Sequence, residues 1–199
     1  MTTKLELFEL LKSIICKSCL NADENKKAYF AGGCFWCIEA IMQRIKGITK
    51  VESGYSGGSV PGHPTYREVC SGLTGHAEVV RVTFENEKIS LHDLLTIFMT
   101  LHDPTQLNGQ GADLGTQYRS VIYYQSKAQR NTTKAVFLEL KDYFDAPIVT
   151  ELSTATDFYL AEPEHQNYYN QNSQAGYCKA IIQPKLTKLR SKYIDKFLV

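Results

Sequence analysis

Between Lys27 and Ile45 the sequence changes period. Lys27–Gly32 reads as a short strand; after Gly32-Gly33 the apolar residues Ile38, Ile41, Met42 and Ile45 recur at i, i+3, i+4 and i+7, one face of a helix that starts near Cys34. A chain that passes from strand to helix across two glycines must build a sheet layer and a helix layer and bury one face of each. The rest of the chain repeats that mixture. A strand is expected around Ile48–Ser53, and Ala77–Phe84 alternates cleanly with Val80, Val82 and Phe84 on one face. Ser90 with Asp93 opens a helix through Leu94, Leu95, Phe98 and Met99, and Ser126 with Gln129 opens a second one that ends before Pro147. Further strands are expected at Ser120–Tyr124 and Ile148–Leu152, with short helices at Pro163–Tyr169 and Lys185–Phe197. Strict βαβ regularity is absent, so the expected fold is α+β: a single domain with a mixed central β-sheet packed with helices, long glycine-rich loops and a C-terminal tail.

The loops are Asn108–Gly115 and residues 54–75, the latter holding Gly54, Gly57, Gly58, Gly62, Gly72 and Gly75. A loop of that length in a compact domain tends to be functional or disordered, and its embedded Tyr66, Arg67 and Cys70 favour function. At 199 residues and 43% hydrophobic the chain suffices for one ordinary domain. A domain this long buries roughly 70% of the surface its unfolded chain exposes, so it needs no staple to hold a core. Residues 1–26 are expected to form a helical extension (Leu5, Phe8, Leu11, Ile14 and Ile15 at helical spacing) and a polar linker, with the catalytic domain over 27–199 and a tail from about residue 170.

Twenty-two basic and 21 acidic residues leave a net charge of +1, which gives no argument for nucleic acid or for an anionic membrane. Lys4, Glu6, Glu9, Lys12 and Lys17 interrupt every apolar run near the start. Neither a secretory signal nor a membrane span is therefore expected, and the expected location is the cytoplasm.

Six cysteines are present: Cys16, Cys19, Cys34, Cys37, Cys70 and Cys178. In a reducing compartment such residues are catalytic, metal-binding or simply buried. Cys34 stands where a strand gives way to a helix, and unsatisfied N–H groups and the helix dipole at such a point stabilise a thiolate. The alternative is a small buried hydrophobe. Phe35 and Trp36 read either as core or as an apolar wall for a methyl-bearing substrate. Glu78 shares strand parity with Val80, Val82 and Phe84; unless it lies at an exposed strand end, burial keeps it protonated and able to donate a proton.

Gly33-Cys34-Phe35-Trp36-Cys37 resembles the active-site motif of the peptide methionine sulfoxide reductase A family. The likeness continues through Gly54–Gly58, Pro64–Cys70, Thr74–Val80, Gly115–Ser120, Ala161-Glu162, His165-Gln166 and Gly176-Tyr177-Cys178, in the family's order over roughly residues 27–180. The resemblance implies thiol-dependent reduction of free or protein-bound methionine S-sulfoxide, with no bound cofactor or metal and thioredoxin as external reductant. It implies Cys34 as the nucleophile that becomes a sulfenic acid, Glu78 as the acid that protonates the sulfoxide oxygen, and Tyr66 and Tyr118 as hydrogen-bond donors to that oxygen. Asp113 matches a further polar site residue, and Phe35 with Trp36 matches the cage for the substrate methyl. Cys178, in a loop-like tail, is the favoured resolving thiol; Cys37, one helical turn from Cys34, is the alternative. Cys70 has no assigned role and is expected to be buried and inert.

Two features depart from that pattern. A helix-like stretch over Pro184–Val199 follows the tail cysteine, and Cys16-x-x-Cys19 precedes the region of likeness. With Cys34-x-x-Cys37 the latter pair comes close to a four-cysteine zinc spacing, which would consume the nucleophile. A thioredoxin-like oxidoreductase using Cys34 and Cys37 is the other competing reading.

Overall fold

The computed structural model describes residues 27–198, so the expectations for the leading helix, its linker, Cys16 and Cys19 lie outside the described residues. The first strand, β1 (Lys27–Ala31), runs into helix α1 (Phe35–Met42), and β2 (Ile48–Ser56) follows. After it come the short helix α2 (Tyr66–Cys70), β3 (Ala77–Phe84), α3 (Leu91–Leu101) and a small hairpin of β4 (Gly109–Gln110) and β5 (Asp113–Leu114). A 3-10 turn at Thr116–Tyr118 leads to β6 (Val121–Tyr124), α4 (Lys127–Leu140), β7 (Glu151–Thr154) and β8 (Tyr159–Leu160). The chain closes with a 3-10 turn at Pro163–His165, α5 (Tyr168–Gln171), a π-helical segment Cys178–Ile182 and α6 (Gln183–Lys192).

Six strands form one sheet in the order β7-β6-β1-β3-β2-β8. Only the β6–β7 pair among them is parallel, so the sheet is mixed, as the sequence predicts. Period-2 alternation sorts its residues to two faces. On β1, Ala28 and Phe30 join the main core while Tyr29 and Ala31 face the other side; on β3, Val80, Val82 and Phe84 join the main core while Ala77 and Val79 do not. The main core lies between this face and the buried sides of α1 and α3, where Phe30 stacks on Phe98 at 4.7 Å. Glu78 has the parity of Val80, and that parity sends it under the start of α1.

Several boundaries differ from expectation. β2 extends to Ser56 into the anticipated loop, and α2 forms inside the same loop on a Thr65–Glu68 capping box. Five helical residues are too few for periodicity to register. The Asn108–Gly115 loop contains the β4–β5 hairpin, and the expected Ile148–Leu152 strand pairs only from Glu151. The expected loop-like tail around Cys178 is the π-helical segment continuing into α6, packed on the core through Cys178, Ile182 and Leu189. No helix among the described residues is long and apolar enough to cross a membrane.

Candidate active site

Cys34 is the N-cap of α1, but its side chain makes no capping bond. The first helical amide, Phe35 N–H, is taken instead by a carboxylate from the sheet, donating to Glu78 Oε2 at 2.9 Å. Two glycines make this junction possible. A Cβ on Gly32 would come within 2.9 Å of the His102 ring, and one on Gly33, at φ +92°, within 2.7 Å of Gln110 Cβ. Only glycine accepts both the left-handed backbone and the close approach.

Glu78 is 1% exposed. Burial raises its pKa from 4.5 to about 8, against the opposing pull of the Phe35 N–H bond, with the charges of Asp113 and Cys37 adding to the rise. It is a carboxylic acid at neutral pH. Tyr66 and Tyr118 lie in its field: burial and then, for Tyr118 directly and for Tyr66 after Cys70, the Glu78 charge raise both phenols, so both remain hydrogen-bond donors.

The expectation that the helix start lowers the Cys34 thiol is not met. Burial, then Cys37, then the Glu78 charge push it well above its usual range, and the first helix amide bonds Glu78 instead. Cys37 moves the other way, to about 7, chiefly through its interaction with Cys34, with Lys185 assisting against burial. The two thiol side chains hydrogen-bond to each other. Cys34 keeps 7% of its surface open, while Cys37 and Cys178 keep 3% and 0%. Cys70, expected to be buried, is half-buried beside the Tyr66 hydroxyl.

Above the thiols the aromatic rings form a wall. Phe35 is fully buried and stacks toward Tyr66 at 6.2 Å; Trp36 lies flat on Tyr168 at 3.8 Å and 9°. His165 packs on Tyr66 at 4.2 Å and on Trp36 at 5.6 Å. Tyr177 meets the edge of Trp36, donates to Asp113 Oδ2 at 2.9 Å, and stands 3.6 Å from Cys37 Sγ. Glu162 accepts from Tyr55 Oη at 2.8 Å and from Tyr66 N–H at 2.7 Å, fixing the start of α2 over the site.

Seven of the predicted site residues thus cluster around the start of α1: Cys34, Phe35, Trp36, Tyr66, Glu78, Tyr118 and Cys37. Asp113 joins them through Tyr177, whereas Cys178 is fully buried in the main core. The roles of Tyr177, Glu162 and Tyr168 were not read from sequence, though each lies in or beside a block that carried the resemblance. Among the described residues no group of three or more His, Cys, Asp or Glu side chains is arranged to hold a metal ion.

The sequence profile of a family described as "Peptide methionine sulfoxide reductase" matches residues 26–197. The chain belongs to that family. A peptide methionine sulfoxide reductase MsrA of Deinococcus radiodurans is 55% identical over 174 residues, covering 86% of this chain and 84% of the relative. One from Acinetobacter baumannii is 52% identical over 168 residues, covering 84% and 96%. Among solved structures, methionine sulfoxide reductase A of Corynebacterium diphtheriae aligns with a TM-score of 0.71 at 33% identity, covering 75% of this chain and 76% of that one. Mxr1 from Saccharomyces cerevisiae in reduced form aligns with a TM-score of 0.71 at 34% identity, covering 77% and 88%.

Proposed function

We propose that this chain reduces the S epimer of methionine sulfoxide, free or in proteins, with Cys34 as nucleophile, Glu78 as acid and Cys37 as the first resolving thiol. The overall activity is that of its family: a thiol-dependent oxidoreductase that returns methionine sulfoxide to methionine. The observation that carries the residue assignment is the neutral Glu78 carboxyl, buried and bonded to the amide immediately after Cys34.

The substrate's methyl group enters the wall of Phe35, Trp36 and Tyr66. Its oxygen, a poor leaving group until protonated, meets Glu78, with Tyr66 and Tyr118 donating hydrogen bonds. Cys34 sulfur attacks the substrate sulfur as Glu78 delivers its proton to the oxygen, and the Cys34 thiol proton returns to the Glu78 carboxylate. The oxygen ends on Cys34 as a sulfenic acid, so substrate sulfur is reduced by two electrons and Cys34 is oxidised by two. Cys37 thiolate then attacks Cys34 sulfur, an S–S bond forms, and the hydroxyl takes the Glu78 proton and leaves as water. A dithiol partner, thioredoxin, restores both thiols by exchange, and no bound cofactor is required. A reducing cytoplasm suits a cycle that starts from free thiols.

Sequence reading favours Cys178 as the resolving thiol. One feature supports Cys37 ahead of it: its thiol already hydrogen-bonds Cys34. Mass spectrometry after one equivalent of sulfoxide tests the order. A Cys34–Cys37 link is expected in the wild type and in Cys178→Ser; a Cys34–Cys178 link in the wild type returns the role to Cys178. Cys34→Ser should form no methionine at all, and turnover in that variant would refute the nucleophile.

A further inference from the structure

We propose that Glu39 is a positioning residue of the methionine pocket, its carboxylate gripping the Asn167-Tyr168 backbone so that the Tyr168 ring is laid flat on Trp36. The inference rests on the reading of Trp36 as a pocket wall.

Glu39 is the one acidic residue of α1, and it is 1% exposed. A carboxylate in an apolar core is tolerated only where its lone pairs are filled. Here Asn167 N–H donates to Oε1 at 2.7 Å and Tyr168 N–H donates to Oε2 at 3.1 Å, one amide to each oxygen, from a segment 128 residues away in the chain. Successive amides converge on one anion only when the backbone curls, and Asn167 supplies the curl with φ 53° and ψ 33°. Asparagine is one of the few non-glycine side chains that take this left-handed conformation readily.

The helix spacing gives the grip its consequence. Glu39 follows Trp36 by three residues, so both project from the same side of α1. Glu39 holds the backbone of Tyr168, and Trp36 receives its ring at 3.8 Å. The indole N–H of Trp36 is buried with no hydrogen-bond partner among the described residues, so stacking rather than a polar bond sets the indole's orientation. Gln166 secures the same segment from the sheet, donating to the Ser53 carbonyl at 2.8 Å and accepting from Ser53 N–H at 3.0 Å. Tyr168 is thus delivered to Trp36 by its own main chain, and Glu39 is the side chain that fixes that main chain to the pocket's helix.

Trp36 is the chain's single tryptophan, so emission excited selectively through tryptophan reports on this wall alone. The test compares full-length wild type, Glu39→Gln and the surface control Glu87→Gln, first for circular dichroism, then for emission with acrylamide quenching, then for kinetics on a methionine sulfoxide peptide. Glu39→Gln keeps one acceptor and loses the other. It should fold, raise the quenching constant about twofold and raise KM about tenfold, while the single-turnover rate at saturating substrate stays within about twofold, the pattern of lost uniform binding. Tyr168→Ala should reproduce both changes with Glu39 intact, and it stands in should the glutamine variant not fold. Adding Glu39→Gln to Tyr168→Ala should produce no further change in either readout. Folded Glu39→Gln with wild-type emission and KM would overturn the proposal, as would Tyr168→Ala with wild-type values. A wild type that reduces no sulfoxide would count against the catalytic reading, while the emission arm would still decide the grip.

Discussion

Glu78 answers to two opposed demands. Its burial makes it an acid at neutral pH, and the same burial makes it a liability once it ionises. With its proton retained up to about pH 8, the first reductive step should hold steady through neutrality and fall as pH rises past that value, followed by rapid-quench single turnover. Glu78→Gln removes the proposed proton donor and should slow that step by about 10²–10⁴-fold. Stability moves in the other direction. The unfolded chain releases this proton near 4.5 and the folded chain near 8, so the native state binds more protons in that window and loses stability as pH climbs through it. Relative to wild type, Glu78→Gln should therefore gain roughly 2–5 kcal/mol on going from about pH 4 to about pH 9, read by urea denaturation at each pH; equal shifts at both would refute the burial argument. Strand parity already marked Glu78 in the sequence. Tyr177 and Glu162 carry no such mark, since their partners Asp113, Tyr55 and Tyr66 lie 64 to 107 positions away.

At the scale of elements, helix starts were legible because capping is local. Ser90 and Ser126 both accept the N–H three residues on, as read from the chain. The hidden element is α2, whose Thr65–Glu68 box sits in a glycine-rich stretch. Thr65→Ala and Ser90→Ala should each cost about 1 kcal/mol in thermal denaturation. Their kinetics should differ: α2 aims Tyr66, so Thr65→Ala should also slow sulfoxide reduction, whereas Ser90→Ala at the distant α3 should leave it unchanged. Equal kinetics in the two variants would separate α2 from the site. The strand expected at Ile148–Leu152 shifted to Glu151–Thr154 because its register is set by parallel pairing with β6, a contact that composition does not encode.

For the whole molecule, the C-terminal stretch that looked like an appendage closes the fold. Leu189 and Phe197 are only 2% and 3% exposed, Phe197 bridges to Ile45, and the Lys46 and Leu198 amides donate to the Lys196 and Arg44 carbonyls. Leu189→Ala should cost about 2–5 kcal/mol in chemical denaturation. A loss below about 0.5 kcal/mol, the range of ordinary surface changes, would mean that α6 is not part of the core. The sequence by itself determined the mixed α/β character, the helix opening at Cys34, the inward parity of Glu78 and the family, because period, capping and motif are properties of neighbours along the chain. Tertiary structure alone decided which thiol faces Cys34, where Cys178 is buried, and how Glu39, Tyr168 and Tyr177 meet α1. Those outcomes depend on desolvation and on contacts between segments far apart in the chain, and neither is written in any single stretch of residues.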